Sequence, residues 1–290
     1  MIAFIGLGAM GAPMAKNLIL SGKTVKGFDA NENALTALKK MGGMPCRSAQ
    51  EACSESQTLI LMVVNIEQAR QILFEQGALD ALPIHATICL MSTCPPGSVE
   101  ALAQQVISSG RRFVDCPVSG GVVGATDGKL TIMAACDVLT FDHIRPLFDV
   151  LGNRVFHVGD KPGQGAMCKT INQLLCGLHL AVAAEAFSLA KKSELNLELL
   201  LEIMSGSSAS SWMLNDRGHR MLSHAPEVTS AIDIFVKDLG IVVEAGRESK
   251  AALPLTTLAY QMFLSASGRG EGKLDDSQVV RSFNLLNGLS

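Results

Sequence analysis

The chain has 290 residues, of which 48% are hydrophobic and 18% charged, and its formal net charge is −3. A chain this apolar can bury enough surface to offset the entropy of ordering, which excludes a disordered protein, and its length suits two domains of about 150 residues. The weak negative charge excludes a global basic field, so we expect neither nucleic acid nor a membrane as a partner.

The spacing of cysteine and histidine gives no sign of a disulfide framework or a metal site. The eight cysteines include no CxxC pair, and neither HExxH nor a Cys/His cluster occurs. The N-terminus, MIAFIGLG, lacks the basic segment and cleavage site of a signal peptide. The longest apolar stretch, Leu174 to Ala190, contains His179 and Glu185 and is shorter than the roughly 20 apolar residues that span a bilayer. We therefore expect a cytoplasmic, metal-free protein in which this stretch is a buried helix.

In the first half of the chain, short apolar runs alternate with helical patterns, which is typical of βαβ units around a parallel sheet. The predicted strands are Ile2 to Ile5, Thr24 to Phe28, Thr58 to Val63, Thr87 to Met91, Arg112 to Asp115, Leu130 to Ala134 and Arg154 to His157. The predicted helices are Met10 to Ser21, Glu32 to Lys40, Ile66 to Phe74, Ser98 to Ser109 and Leu139 to Val150. Residues 1–162 are thus predicted to form an α/β domain with a doubly wound, mostly parallel sheet.

A glycine motif directly follows the first strand and opens the first helix. In dinucleotide-binding Rossmann domains the first glycine makes a tight turn, the second lets the backbone approach the pyrophosphate, and the third lets helix and strand pack closely. Asp29 ends the second strand 18 residues after the motif, where a carboxylate accepts hydrogen bonds from the adenosine ribose and repels a 2′-phosphate. NAD is therefore favoured over NADP, whose 2′-phosphate Lys23 or Lys26 would have to bind. The alternative role of Asp29 is to cap the helix that follows it. The residues predicted to bind NAD here are Gly6, Leu7, Gly8, Ala9, Met10, Gly11 and Asp29.

Three further segments follow predicted strands at the sheet edge where ligands collect in open α/β sheets. The first two are Val63-Val64-Asn65 and Ser92 to Gly97, and Val63, Val64, Asn65 and Thr93 are predicted to contact the cofactor, with plain turns and helix caps as the alternative. The third contains Ser119, Gly120 and Gly121, whose hydroxyl and consecutive backbone N–H groups suit a substrate carboxylate. A flexible loop is the alternative for this third segment.

After Gly165, apolar residues recur at helical spacing almost to the C-terminus, so residues 163–290 are predicted to form an all-helical catalytic and oligomerisation domain. The first helix is apolar on most faces, and we expect it to be buried on most sides, as the spine of this domain and part of a subunit interface. The predicted helices are Gln164 to Lys191, Leu195 to Met204, Ser210 to Leu222, Ala231 to Glu248, Pro254 to Ser267 and Asp275 to Leu286.

Lys169 lies in the first turns of this apolar helix, and Asn172 and Gln173 follow it on the same face. A lysine in an apolar helix is costly unless it is paired or its pKa is lowered, and a lowered pKa suits a catalytic acid or base. We therefore predict that Lys169 is catalytic, with a snorkelling surface lysine as the alternative. Lys237 and Asp238 form a second charged pair, and a structural ion pair is the default interpretation. Lys237 could also reach the cofactor or a substrate carboxylate.

Three stretches follow one another along the chain: GLGAMGAPMAKNL, DCPVSGGVVGA and GQGAMCKTIN. Their order and separations resemble those of the β-hydroxyacid dehydrogenases, the family of 3-hydroxyisobutyrate dehydrogenase and tartronate semialdehyde reductase, over essentially the whole chain. The resemblance implies hydride transfer between NAD(P) and a small hydroxyacid, a Rossmann domain followed by a helical domain, and homodimers or homotetramers assembled through the helical halves.

Residue by residue, the resemblance assigns roles to several positions. Lys169 matches the family's catalytic lysine, Asn172 its helix asparagine, and Ser119-Gly120-Gly121 its carboxylate-binding loop. Thr93 matches a residue of the cofactor loop, and Lys237 matches a late lysine that meets the cofactor.

The chain also departs from the family's usual pattern at three places. Gln173 replaces a second asparagine, Val63-Val64-Asn65 replaces Met-Leu-Pro, and Ala134-Ala135 replaces Gly-Gly. These departures resemble the L-threonate dehydrogenase branch, which often has His in place of Asn172. The same branch is indicated by the stretches VVNIEQARQILF, QLLCGLHLA, SSWMLNDR, AIDIFVKDLG and GKLDDSQVV.

The sequence therefore predicts NAD-dependent oxidation of a four-carbon sugar acid such as L-threonate. Such a substrate needs more polar partners than 3-hydroxyisobutyrate does, and the candidates are Asn65, Gln173, Asn215, Asp216 and Lys237. A 3-hydroxyisobutyrate dehydrogenase or a tartronate semialdehyde reductase is the alternative, and a non-catalytic NAD-binding protein is a remote one.

Overall fold

One sheet organises the first half of the chain. Its strands are β1 (Ile2–Ile5), β2 (Val25–Phe28), β3 (Met44–Pro45), β4 (Thr58–Leu61), β5 (Thr87–Leu90), β6 (Arg112–Asp115), β7 (Val118–Ser119), β8 (Thr131–Ala135) and β9 (Arg154–Gly159). They lie in the order β3-β2-β1-β4-β5-β6-β8-β7, with β9 paired with β8. Strands β1 to β6 pair in parallel, whereas β8 runs antiparallel to both β6 and β7. The predicted doubly wound, mostly parallel sheet is confirmed.

Helices pack on both faces of this sheet, because alternate side chains of each strand point to opposite sides. From β1, Ala3 and Ile5 enter one core and Ile2 and Phe4 enter the other. The helices are α1 (Gly11–Leu20), α2 (Glu32–Lys40), α3 (Ala49–Cys53), α4 (Ile66–Arg70), α5 (Ala78–Ala81), α6 (Pro96–Ser108), α7 (Gly121–Asp127) and α8 (Val138–Leu151).

The strand order reverses between β1 and β4, where β1 lies next to both β2 and β4. In open α/β sheets, ligands bind outside the carboxyl ends of the strands at such a point. Gly6 follows β1 and Met62 follows β4. The fold therefore places the glycine motif at the ligand-binding edge of the sheet.

The second half of the chain is helical, as predicted. It contains α9 (Gln164–Lys192), α10 (Leu197–Ser205), α11 (Trp212–Leu222), α12 (Ile232–Ser249), α13 (Pro254–Ala266) and α14 (Val280–Leu286), with a 3₁₀ turn at Asp276–Val279. Its core includes Leu180, Phe187, Leu239 and the stacked rings of Phe235 and Phe263, whose centroids are 5.0 Å apart.

The computed structural model describes residues 1–289. The chain divides within α9 into two compact units, Met1–Lys169 and Thr170–Ser290. The functional division proposed from the sequence, with cofactor binding in 1–162 and catalysis and oligomerisation in 163–290, stays a prediction.

Short elements are where the sequence predictions were wrong. The strands β3 and β7 and the helices α3, α5 and α7 were not predicted. The predicted strand Thr58 to Val63 ends at Leu61, and the predicted helix Ile66 to Phe74 is α-helical only to Arg70 and π-helical over Gln71–Glu75. Two-residue strands and one-turn helices are too short to show a hydrophobic period.

Helix α9 is less buried than predicted. Four apolar side chains on one face, Ile171, Leu175, Val182 and Leu189, are 49 to 63% exposed. By length and composition, α9 is the one helix within residues 1–289 that could cross a membrane, yet half of its most apolar 18-residue window is buried inside the protein. The helix therefore combines a buried face with an apolar outer face.

Candidate active site

The glycine loop after β1 has the geometry of a pyrophosphate-binding turn. Gly6 has φ +94°, and a side chain there would collide with the carbonyl of Met62. A side chain at Gly11 would collide with the Gly6 carbonyl and the Phe4 ring, whereas one at Gly8 would meet nothing within 4 Å. The three glycines thus supply the tight turn, the open approach and the close helix–strand packing that a dinucleotide requires.

Asp29 fastens this loop to the end of β2. Its Oδ2 accepts the Leu7 N–H at 2.6 Å, and its Oδ1 accepts the Asn31 N–H at 2.8 Å. The side chain that caps α2 belongs to Asn31, whose Oδ1 accepts the Asn33 N–H at 3.0 Å. The carboxylate is therefore held beside the glycine loop, and Asp29 is not the cap of α2. The contact of Asp29 with an adenosine ribose stays a prediction.

A cavity of about 510 Å³ opens beside this carboxylate. Its lining residues are Phe28, Asp29, Ala30, Glu32, Leu35, Pro45, Cys46 and Arg47. Sequence reasoning missed Arg47, because it follows the short strand β3. Lys26, a candidate for holding a 2′-phosphate, instead donates from Nζ to the Ser54 carbonyl at 2.9 Å. Arg47 is therefore the cation that faces this cavity.

The loop after β4 is fixed by hydrogen bonds. The Val63 N–H donates to Ser92 Oγ at 2.9 Å, which joins this loop to the one after β5. Asn65 caps α4 by accepting the Gln68 N–H, and Gln68 Oε1 accepts the Val64 N–H, both at 2.9 Å. The helix-cap role of Asn65 is thus present, and the cofactor contacts of Val63, Val64 and Asn65 stay predictions. Ser92, which is buried, lies in the predicted segment Ser92 to Gly97, but its bond to the loop after β4 was not predicted.

The predicted carboxylate loop begins as a strand and ends as a helix. Ser119 pairs with Thr131 across β7 and β8, and α7 begins at Gly121. Between them the backbone turns through the left-handed region, with φ +127° at Gly120 and +60° at Gly121. The segment is therefore a strand, a turn and a helix start, and not a loop without regular structure. Thr93, in the loop after β5, is half-buried.

Lys169 lies in the second turn of α9 and is only 7% exposed. The first turn of this helix is held by Asp115, the last residue of β6, which is 1% exposed. Asp115 Oδ2 accepts the N–H groups of Gly163 at 2.8 Å and Ala166 at 2.9 Å. Burial raises the pKa of Asp115 to about 6, although the backbone N–H groups favour its charged form. Asp115 is a further residue that the sequence analysis did not single out.

In the second unit, two predicted residues, Gln173 and Lys237, contact the buried carboxylate of Asp238. Gln173 Nε2 donates to Asp238 Oδ2 at 2.5 Å, and Lys237 Nζ lies 2.8 Å from Asp238 Oδ1. Asp238 is 3% exposed. Asn172, one turn after Lys169 on α9, accepts a weak hydrogen bond from Cys176 Sγ at 3.9 Å. The Lys237–Asp238 ion pair is therefore present, and the substrate and cofactor roles of Asn172, Gln173 and Lys237 stay predictions.

Two other candidates for substrate contacts already have partners. Asp216 forms ion pairs with Arg217 and Arg220, so its charge is neutralised within the second unit. Asn215 Nδ2 donates to Ser210 Oγ at 3.2 Å. Both side chains therefore take part in local structure, and their substrate contacts stay predictions.

Within residues 1–289, no three His, Cys, Asp or Glu side chains are grouped to hold a metal ion. Within the described residues no disulfide joins the eight cysteines, and six of them are buried. The metal-free chemistry stays a prediction.

Comparisons with known proteins cover nearly the whole chain. The NAD-binding domain of 6-phosphogluconate dehydrogenase matches residues 1–159, and the NAD-binding region of NADP-dependent 3-hydroxyisobutyrate dehydrogenase matches residues 163–283. L-threonate dehydrogenase of Cupriavidus necator is 36% identical over 283 residues, which are 97% of this chain and 95% of the relative. The chain belongs to the 3-hydroxyisobutyrate dehydrogenase-like family of β-hydroxyacid dehydrogenases.

Two further relatives agree with this assignment. A crystal structure of 3-hydroxyisobutyrate dehydrogenase from Salmonella typhimurium has a TM-score of 0.91 and 34% identity, covering 97% of this chain and 98% of the other. The 2-hydroxy-3-oxopropionate reductase of Escherichia coli K12 is 32% identical and covers 98% and 97%. This 3-hydroxyisobutyrate dehydrogenase-like protein is thus an NAD-dependent oxidoreductase of the L-threonate branch, and the remote alternative of a non-catalytic protein has no support.

Proposed function

We propose that this dehydrogenase oxidises a four-carbon sugar acid, with L-threonate as the best candidate, using NAD⁺. The substrate is supported by the likeness, along 97% of the chain, to L-threonate dehydrogenase. The observation that carries the chemistry is Lys169, buried in the second turn of a helix whose first turn is bound to the end of β6.

The cofactor-binding residues in this proposal are the Gly6–Gly11 loop, Asp29, Val63, Val64, Asn65, Thr93 and Lys237. NAD⁺, when bound, supplies the acceptor for the hydride that leaves the carbinol carbon of the substrate. Asp29 fits the ribose end because its carboxylate is fixed beside the glycine loop.

Lys169 Nζ accepts the hydroxyl proton of the substrate during oxidation and returns a proton in the reverse direction. General acid–base action of this kind is typically worth about 10²–10⁴-fold in rate. Ser119 Oγ and the N–H groups of Gly120 and Gly121 bind the substrate carboxylate, and Asn172 orients the hydroxyl. Gln173 and Lys237 are further substrate contacts in this proposal.

We place the enzyme in the cytoplasm as a homodimer or homotetramer assembled through its helical half. The apolar outer face of α9 supports this assembly, because four exposed aliphatic side chains on one face are costly in water. No nucleic acid or membrane partner is proposed.

The test is a side-by-side measurement of NAD⁺ reduction with L-threonate, D-threonate, D-erythronate, D-glycerate, L-tartrate, 3-hydroxyisobutyrate and L-serine. We expect the highest kcat/KM with a four-carbon acid, and at least a 100-fold lower kcat for a folded Lys169→Ala variant. Equal kcat/KM across the panel, or a preference for 3-hydroxyisobutyrate, would remove the threonate proposal. Near-normal turnover by Lys169→Ala would remove the proposed role of the lysine.

A further inference from the structure

Asp115 holds together two segments to which the proposed mechanism gives different tasks. Its main chain ends β6 and leads, three residues later, into the strand that carries Ser119. Its side chain turns the other way and binds the start of α9 through Gly163 and Ala166. One residue therefore lies between the carboxylate-binding segment and the helix of Lys169.

The start of α9 has no room to move closer to the sheet. A side chain at Gly165 would stand 2.6 Å from the Asp115 carbonyl and 2.7 Å from the Met133 carbonyl, so the helix backbone packs directly on the end of β6 and the middle of β8. The first N–H groups of a helix have no partner within the helix, and a buried one needs an acceptor. The acceptor here is the carboxylate of Asp115, at the end of β6.

We infer that Asp115 is a positioning residue, which fixes the depth and rotation of the first turn of α9 and thereby the place of Lys169 Nζ. Lys169 follows Ala166 by three residues, which is less than one helical turn. A displacement of the first turn of α9 would therefore move Lys169 by nearly the same distance. A displacement of about 1 Å in a reacting group can cost about 10²-fold in rate. This inference rests on the proposed role of Lys169.

The Asp115 carboxylate binds the start of α9 by hydrogen bonds and by charge. It binds two N–H groups through one oxygen, and its charge opposes the positive end of the helix. The titratable groups that act on it come from the surrounding elements: Glu100 of α6 disfavours its charge, and the thiols of Cys116, Cys136 and Cys168 interact with it. Burial and Glu100 thus raise the pKa of Asp115, and the backbone N–H groups at the start of α9 lower it.

The experiment compares Asp115→Ala, Asp115→Asn and Asp115→Glu with Asp137→Ala as the matched control. Asp137 also caps a helix of the first unit, since its Oδ1 accepts the Thr140 N–H at 2.9 Å, but α8 carries no site residue. The readouts are kcat and KM for hydroxyacid and NAD⁺, NAD⁺ affinity by calorimetric titration, and hydrogen exchange of the Gly163 and Ala166 amides.

For Asp115→Ala we expect kcat to fall by about 10- to 100-fold, NAD⁺ affinity to stay within about twofold, and both amides to exchange faster. Asp115→Asn keeps an acceptor oxygen in place and should retain most of kcat. Asp115→Glu keeps the charge but moves it by one methylene, and should lose kcat although it folds. Asp137→Ala should lose stability without losing kcat.

A folded Asp115→Ala variant with normal kcat would overturn the inference, and so would a kcat loss equal to that of Asp137→Ala. If Asp115→Ala does not fold, the comparison of Asp115→Asn with Asp115→Glu decides, and equal kcat values would overturn the inference. Lys169→Ala is measured in the same assay. If Lys169→Ala retains turnover, the proposed catalytic role of the lysine fails. If Lys169→Ala is inactive but Asp115→Ala has normal kcat, only the positioning role of Asp115 fails.

Discussion

Asp29 and Arg47 line the same cavity and carry opposite charges. We therefore expect these two residues to determine the preference between NAD and NADP. The Asp29 carboxylate repels a 2′-phosphate, whereas Arg47 would attract one. For Asp29→Asn, which keeps the shape and an acceptor for the Leu7 N–H, we expect NADP⁺ to bind about tenfold more tightly relative to NAD⁺, equivalent to about 1.4 kcal/mol. Equilibrium titration with both cofactors measures this ratio.

The second variant in this experiment is Asp29→Asn combined with Arg47→Ala. Because Arg47 is the cation that faces the cavity, the double variant should lose the gain for NADP⁺. An unchanged NADP⁺/NAD⁺ ratio in the single variant would contradict the discriminating role of Asp29.

Gln173 stands where the family's usual pattern has asparagine, and its amide Nε2 lies 2.5 Å from Oδ2 of the buried Asp238. For Gln173→Leu we expect a loss of about 1–3 kcal/mol in the free energy of unfolding, since a buried carboxylate oxygen loses its donor. Urea denaturation measures the loss, with the exposed Gln104→Leu as the control. A loss below about 0.5 kcal/mol, within the range of ordinary surface substitutions, would show that the Gln173–Asp238 bond contributes little.

At the scale of elements, we expect the free energy that the contact between β6 and the start of α9 contributes to folding to depend on pH. Burial raises the pKa of Asp115 from its ordinary value of 3.8 to about 6. The folded protein therefore binds this proton more tightly than the unfolded chain does, so ionised Asp115 costs the folded state up to about 3 kcal/mol above pH 6. That cost disappears as the pH falls from 6 towards 3.8.

Asp115→Asn removes the ionisation and should therefore be more stable than the wild type at pH 8, with the difference shrinking as the pH falls to 5. Chemical denaturation at several pH values measures this difference in unfolding free energy. A difference that is the same at pH 5 and pH 8 would show that Asp115 titrates near its ordinary pKa.

Elements with a repeated hydrophobic pattern could be predicted from sequence, and contacts between distant elements could not. The four-residue strand β1, the helix α2 and the glycine loop have local signals in period, caps and glycine spacing. The bonds from Asp115 to Gly163 and from Val63 to Ser92 join residues 48 and 29 positions apart, and only the register of the sheet brings them together. The helix pattern and the family resemblance both pointed to Lys169, but neither pointed to the Asp115 carboxylate that binds the start of its helix.

At the scale of the whole molecule, the outer face of α9 bears on how many chains assemble. Ile171, Leu175, Val182 and Leu189 follow one another at spacings of four, seven and seven residues, which places them along one side of the helix. Such a repeat is typical of a helix that packs against another helix. Because these side chains are about half exposed in one chain, a second copy would remove them from water.

The proposed assembly is expected to separate into monomers of 30.6 kDa when Val182→Lys and Leu189→Lys are combined, because each lysine would place a charge inside the helix contact. Sedimentation equilibrium measures the mass, and Leu139→Lys, which changes an 82% exposed side chain on α8, is the control that should leave the assembly intact. A double variant with the wild-type mass would exclude this face as the interface.

Flotation of the wild-type protein with lipid vesicles, abolished in the double variant, would instead assign the face to a membrane. The assembly is the favoured outcome, because Glu185 interrupts the apolar helix between Val182 and Leu189, and its burial in lipid costs more than its exposure at the rim of a protein contact.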